Sequence, residues 1–148
     1  MPSSDHSFTL NYTIHAPAKD VFQAWITPRL LQRWGPERAV VDARVGGQFR
    51  FETQAGDDPA VKHVVTGEYR ELEPGHRLVT SWVYEGPMHP GERVETLLTV
   101  EFKAIEANAV ELTLTEEGPS LEDQEARLAG QDAWMDALKM LEIICSAK

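Results

Sequence analysis

Apolar and polar side chains alternate from Phe8 to His15, with Phe8, Leu10, Tyr12 and Ile14 on one side and Thr9, Asn11, Thr13 and His15 on the other. A period of two is that of a β-strand with one buried face. Ala16-Pro17 ends it. The period then lengthens: Val21, Phe22 and Trp25 recur at helical spacing, and Pro28 suits the first turn of a second short helix carrying Leu30, Leu31 and Trp34. Gly35-Pro36 closes this helical pair.

From Ala39 to residue 117 the signals are strand-like. Val40 and Val41 lead into the Gly46-Gly47 turn, after which Phe49 and Phe51 alternate with Gln48, Arg50 and Glu52. Further strands are predicted over Val61–Leu72, Arg77–Tyr84, Val94–Phe102 and Val110–Thr115. Short links at Glu73-Pro74-Gly75, Gly86–Gly91 and Ala107-Asn108 imply an antiparallel meander. Gly118-Pro119-Ser120 ends the strands, with Ser120 as the expected N-cap of a long final helix. Glu122, Asp123 and Glu125 fall in its first turn, where acidic groups favour the helix dipole. On a helical wheel Trp134, Met135, Leu138, Leu141 and Cys145 share an arc opposite Asp132, Asp136 and Lys139, so that arc is expected to face the sheet. With no repeat or linker, residues 1–148 read as one α+β domain: a curved antiparallel sheet closing around a C-terminal helix, with an apolar pocket between them.

The same order of elements, with particular residues in it, resembles the helix-grip fold of the START-like (SRPBCC) superfamily. Within it the chain looks like the branch related to the activator of heat-shock-protein-ninety ATPase. Ala16-Pro17-Ala18 with Val21-Phe22 and Trp25, Arg33-Trp34-Gly35-Pro36, and the run Asp42 to Phe49 carry the likeness. So do Gly67 to Leu72 with Pro74, and Arg77 to Trp82. It extends from about residue 8 to 145. Two features depart from the pattern: one tryptophan rather than two precedes Gly35-Pro36, and Trp134 stands four residues after Gly130 instead of beside it. The eukaryotic co-chaperones carry a large N-terminal chaperone-docking domain, for which this chain has no room. The resemblance implies a hydrophobic-ligand cavity and suggests a stress-linked role.

Composition narrows the partners. In 148 residues, 42% are hydrophobic and 26% charged, ordinary values for a globular chain. The formal net charge of −10 repels phosphate backbones and anionic headgroups, so neither nucleic acid nor a membrane surface is an expected partner. The one cysteine, Cys145, excludes an internal disulfide and fits a reducing compartment. The N-terminal MPSSDHSFTL has no signal-peptide pattern, so a cytoplasmic location is expected and the Asn11-Tyr12-Thr13 acceptor sequence stays unused.

Candidate chemistry centres on the pocket. Trp34, Phe49, Phe51 and Tyr69 are expected to line it, with Trp82, Tyr84, Trp134, Met135 and Leu138. Met88, in the Pro- and Gly-bounded loop with His89, is placed as part of a lid. Among the polar residues near the sheet-facing arc of the last helix, Gln124 and Arg127 are expected beyond the sheet's edge, and Gln131 is the candidate for a polar contact inside. For acid–base work, Glu116 extends the inward parity of Val110, Leu112 and Leu114, and His63 and Tyr69 are its expected companions. No HxxH or HExxH spacing supports a metal, and no GxSxG elbow, phosphate-cradling loop or dinucleotide fingerprint is present, so no cofactor is expected. Met140, Ile143 and Ile144 lie off the sheet-facing arc and fit packing against the N-terminal helices or a second subunit in a homodimer. Three readings stand open: a module binding a small apolar or aromatic ligand, a cyclase-, hydratase- or hydrolase-type enzyme in the same cavity, and a chaperone-associated interaction module.

Overall fold

The computed structural model describes residues 6–146; the first five residues of the stretch read for a signal peptide lie outside them. Strand β1 (Ser7–Ile14) is followed by helices α1 (Ala18–Ile26) and α2 (Pro28–Trp34). Then come β2 (Arg38–Val41), β3 (Gln48–Gln54), β4 (Lys62–Glu73), β5 (Arg77–Glu85), β6 (Val94–Glu106) and β7 (Ala109–Glu117). A short 3₁₀ turn over Pro119–Glu122 precedes α3 (Gln124–Ser146). All seven strands form one sheet in the order β1-β7-β6-β5-β4-β3-β2. The meander from β2 to β7 is thus completed by β1, which pairs antiparallel with β7 along its whole length, Ser7 opposite Glu117 and Ile14 opposite Val110. This is the α+β helix-grip architecture expected from the sequence.

Alternation explains why the sheet has a wet and a dry face. On β7, Val110, Leu112 and Leu114 are fully buried, and they join Ile14, Leu98 and Val100 of the neighbouring strands in the core. Leu138 and Leu141 of α3 and Val21 and Phe22 of α1 close it from above. A break in register between Tyr69 and Glu71 marks an irregularity in β4, the device by which strands bend and twist more strongly.

Helix α3 runs alongside β1 and in the same direction. Near its start Gly130 lies so close to β1 that a Cβ there would sit 2.7 Å from the Phe8 ring. Three turns later Glu142 accepts a hydrogen bond from the His15 backbone N–H at 2.9 Å and faces the His15 ring at 3.0 Å. Glu142, a polar residue in a largely apolar stretch of the helix, is therefore a tie to the end of β1.

Two details differ from the sequence reading. Ser120 does not cap α3: Pro119 starts a 3₁₀ turn instead, and the Asp123 side chain, one residue before α3, accepts from the Glu125 N–H at 3.2 Å. Arg127 is half-buried rather than out in water, because its guanidinium donates to the carbonyls of Leu121 at 2.7 Å and Glu122 at 2.9 Å, serving the end of that turn. Among the residues set off the sheet-facing arc, Ile144 packs against the core while Met140 and Ile143 are exposed.

Candidate functional site

Between the concave face of the sheet and α3 lies a cavity of about 680 Å³, within the range that holds drug-sized molecules. Its floor is built from strand parity. On β5, Leu78, Thr80, Trp82 and Tyr84 all point inward. Cross-strand register then sets one rung: Tyr69 of β4 opposes Thr80, Thr80 opposes Leu98 of β6, and Leu98 opposes Glu116 of β7. All four side chains line the cavity.

The walls are aromatic and continuous. Phe49 lies 4.7 Å from Phe51 and 5.3 Å from Tyr69 between ring centres, and Phe51 meets Trp82 at 6.0 Å. Trp82 touches Trp134 of α3 at 5.3 Å, Trp134 stacks on Trp25 of α1 at 5.8 Å, and Trp25 meets Trp34 of α2 at 4.8 Å. The Trp34 indole is fixed by donating to the Ala24 carbonyl at 2.9 Å. Gly67 makes the Phe49 position available, since a Cβ there would come within 2.5 Å of that ring. Offset and edge-on contacts of this kind stabilise by about 0.5–1.5 kcal/mol each beyond area burial.

The roof leaves the space open because α3 presents small residues to it. Ala126, Ala129, Gly130, Ala133 and Ala137 recur at helical spacing along the cavity, with Trp134 among them. Methyl groups facing a concave sheet cannot reach its floor.

Polar groups are few. Glu116 accepts from the Trp134 indole N–H at 2.9 Å through Oε1 and pairs with the Thr96 hydroxyl at 2.7 Å through Oε2. Burial pushes its carboxyl above the ordinary value, against the downward pull of those two hydrogen bonds. Burial, with a smaller contribution from the Asp42 charge, raises the Tyr69 hydroxyl far out of the physiological range, so it stays protonated. At the mouth, the Tyr84 hydroxyl lies 2.6 Å from His63 Nδ1 and accepts from the Met88 N–H at 3.3 Å, and Met88 is 65% exposed. Among the described residues, four buried side-chain polar atoms have no hydrogen-bond partner: Trp25 Nε1, Tyr69 Oη, Thr80 Oγ1 and Ser120 Oγ. Every one belongs to a residue that lines the cavity.

Of the residues proposed from sequence, Trp34, Phe49, Phe51, Tyr69, Trp82 and Tyr84 line the cavity, as do Met88 and Trp134. Gln131, Met135 and Leu138 do not. The cavity-facing stripe of α3 runs through Ala133, Trp134 and Ala137, and a step of one residue rotates a side chain by about 100°. Leu138 is instead fully buried in the core, and Gln131 and Met135 are half-buried beside it. His63, Tyr69 and Glu116 all line the cavity, yet His63 bonds to Tyr84 while Glu116 bonds to Thr96 and Trp134, so no hydrogen bond joins the three. Thr80, Trp25 and Ser120 were not anticipated. For Thr80 the signal was present, a lone hydroxyl in the inward row between Leu78 and Trp82.

The family model for Activator of Hsp90 ATPase homolog 1-like protein matches residues 15–145. The chain belongs to this family. Among curated protein sequences none matches. Among solved structures, a Rhodobacter sphaeroides protein superposes with a TM-score of 0.82 at 22% identity, covering 100% of this chain and 97% of that one. A Chromobacterium violaceum protein gives 0.75 at 26% identity, covering 95% and 97%. An HSP90 activator from Plasmodium falciparum gives 0.57 at 25% identity, covering 76% and 72%. The Activator of Hsp90 ATPase homolog 1-like match takes in α1, α2, every strand from β2 to β7 and nearly all of α3, and so every wall of the cavity. Among the described residues no helix is long and apolar enough to cross a membrane.

Proposed function

We propose that this protein binds a small, largely apolar, aromatic-compatible ligand in the cavity between the sheet and α3. The observation that supports it is the combination of a volume of about 680 Å³, an unbroken aromatic wall and a roof of alanine and glycine. A core built only for stability closes such spaces, because each Å³ of empty cavity costs about 24 cal/mol. Met88 and His89 then sit at the mouth, and the ligand enters past the loop between β5 and β6. A cytoplasmic setting fits the single buried thiol, Cys145. Titration with the neutral dye N-phenyl-1-naphthylamine tests the reading: saturable binding at one site per chain is expected, and a response no greater than that of a similarly acidic protein without a cavity refutes it.

A second reading, an enzyme in the same cavity, draws on Glu116, a half-buried carboxyl that lines the apolar space and is raised by desolvation. Turnover of any bound compound that is lost in Glu116→Gln with dye binding retained would support it. An interaction with a chaperone ATPase draws only on similarity to the Plasmodium falciparum activator, and a pull-down that recovers no such ATPase counts against it.

A further inference from the structure

The cavity's polar chemistry is one-sided. Trp25 Nε1 can only donate, and the Tyr69 and Thr80 hydroxyls each carry a hydrogen with no protein acceptor. Tyr69, Thr80 and Trp25 are also among the least exposed residues of the chain, at 2%, 2% and 5%. Such a donor buried without a partner costs about 1–3 kcal/mol, so three on residues lining one cavity are a large expense for a fold to carry. The Glu116 carboxyl is already engaged by Thr96 and Trp134.

Register sets two of these side chains side by side at their bases. Tyr69 and Thr80 are directly opposed across β4 and β5, which places their side chains on the same face about 5 Å apart at the Cβ atoms. One sp² oxygen has two lone pairs and can accept from both hydroxyls at once. An ether oxygen inside an apolar skeleton accepts more weakly, and a hydroxyl brings a hydrogen that then needs an acceptor of its own.

Charge excludes a further class. Among the described residues lining the cavity there is no lysine or arginine, while Glu116, Asp123 and Glu125 contribute carboxyl groups. The whole chain carries a formal charge of −10. A carboxylate or phosphate ligand would enter an apolar space with no lysine or arginine to receive it, only His63 and His89 at the mouth.

We propose that the ligand is a neutral aromatic carbonyl compound, its carbonyl oxygen accepting from Tyr69 and Thr80 and its ring system lying against the tryptophan wall of Trp82, Trp134 and Trp25. This assignment rests on the binding function proposed above and adds its chemical class. Leu98, next to Thr80 on the same rung, supplies the apolar surface under the rings.

Three related probes test it by isothermal titration calorimetry: benzophenone, diphenylmethane, which has CH₂ in place of the carbonyl, and 4-benzoylbenzoate, which adds a carboxylate. Benzophenone is expected to bind about tenfold or more tighter than diphenylmethane, the worth of two hydrogen bonds at about 0.5–1.5 kcal/mol each. It is likewise expected to bind more tightly than 4-benzoylbenzoate. In Thr80→Val and Tyr69→Phe, which keep the shape of the site, the preference over diphenylmethane should shrink several-fold while diphenylmethane itself binds as before. Equal binding of benzophenone and diphenylmethane, or an unchanged preference in both variants, overturns the carbonyl assignment and leaves the cavity function standing. Equal or tighter binding of 4-benzoylbenzoate overturns the neutrality of the ligand. Failure of both neutral probes where N-phenyl-1-naphthylamine still binds overturns the assignment alone; failure of the dye as well overturns the binding function.

Discussion

The alanine stripe of α3 offers the most direct way to ask whether the cavity is real. Ala133 faces the open space from one turn of the helix, beside Trp134 and opposite the floor residues of β5. Ala133→Leu adds three carbons to that position. Each buried CH₂ stabilises by about 0.8 kcal/mol, giving about 2.4 kcal/mol, from which about 0.5–1 kcal/mol of lost rotamer freedom is subtracted. Helix propensity barely changes between the two residues. Because Ala133 is itself exposed, full burial of the added carbons sets an upper limit: the ligand-free variant should be more stable by up to about 2 kcal/mol, a rise in Tm of up to about 8 °C for a chain of this size. Differential scanning calorimetry reads the first quantity. The same side chain occupies ligand space, so N-phenyl-1-naphthylamine should bind at least tenfold more weakly. Stability and binding are thus predicted to move in opposite directions. A lower Tm would mean that the space beside Ala133 is already filled; an unchanged Tm with unchanged dye binding would mean that Ala133 faces bulk water. Either result refutes the cavity geometry.

Other perturbations probe individual parts. Glu116 has its carboxyl raised above 4.5 in the folded state, so the folded form resists ionisation; its contribution is most favourable in acid and is lost as pH rises through the folded value. Glu116→Gln can accept from Trp134 and donate to Thr96 without any charge, so urea unfolding should show it more stable than the parent at pH 7.5, with the gap closing toward pH 4; a gap independent of pH refutes this. Gly67→Ala would place a methyl 2.1 Å from the Ser81 carbonyl oxygen and 2.5 Å from the Phe49 ring, costing about 1–3 kcal/mol in chemical denaturation and weakening dye binding by displacing that ring. Thr80→Val removes a hydroxyl that has no protein partner while keeping its shape, and is expected to raise the ligand-free stability by about 1 kcal/mol. Glu142→Ala cuts the tie to His15 and should cost about 1 kcal/mol, with little effect on dye binding because it lies away from the cavity.

Strand parity carried much of this architecture in the sequence. The inward row Val110, Leu112, Leu114 extends to Glu116, and counting by twos was enough to put that carboxyl on the cavity side. The helical wheel was a poorer guide, for a physical reason. Hydrophobicity identifies the arc that packs, and Leu138, Leu141 and Cys145 do pack. A cavity-facing arc is defined by smallness instead, and alanine is nearly neutral on such scales, so the stripe from Ala126 to Ala137 left little trace beside Met135 and Leu138. Ser120 was misread because its type suits an N-cap, whereas Pro119 had already committed the backbone to a 3₁₀ turn. The Glu116–Trp134 and His63–Tyr84 bonds depend on how helix and strands settle against one another, information that local pattern does not hold.

The attachment of α3 is asymmetric. One flank is fastened to β1 by the close approach of Gly130 to Phe8 and by the Glu142–His15 bonds, and it also rests on α1 and α2. Toward β5 it reaches the sheet through the contact of Trp134 with the Trp82 ring. The helix is therefore mounted like a door on its jamb, with a latch made of two indoles and the Glu116 carboxyl that one of them binds. Parting those rings breaks no sheet hydrogen bond, yet it costs the Trp134–Glu116 hydrogen bond as well as dispersion contacts, so the β5 side is where the helix yields most cheaply.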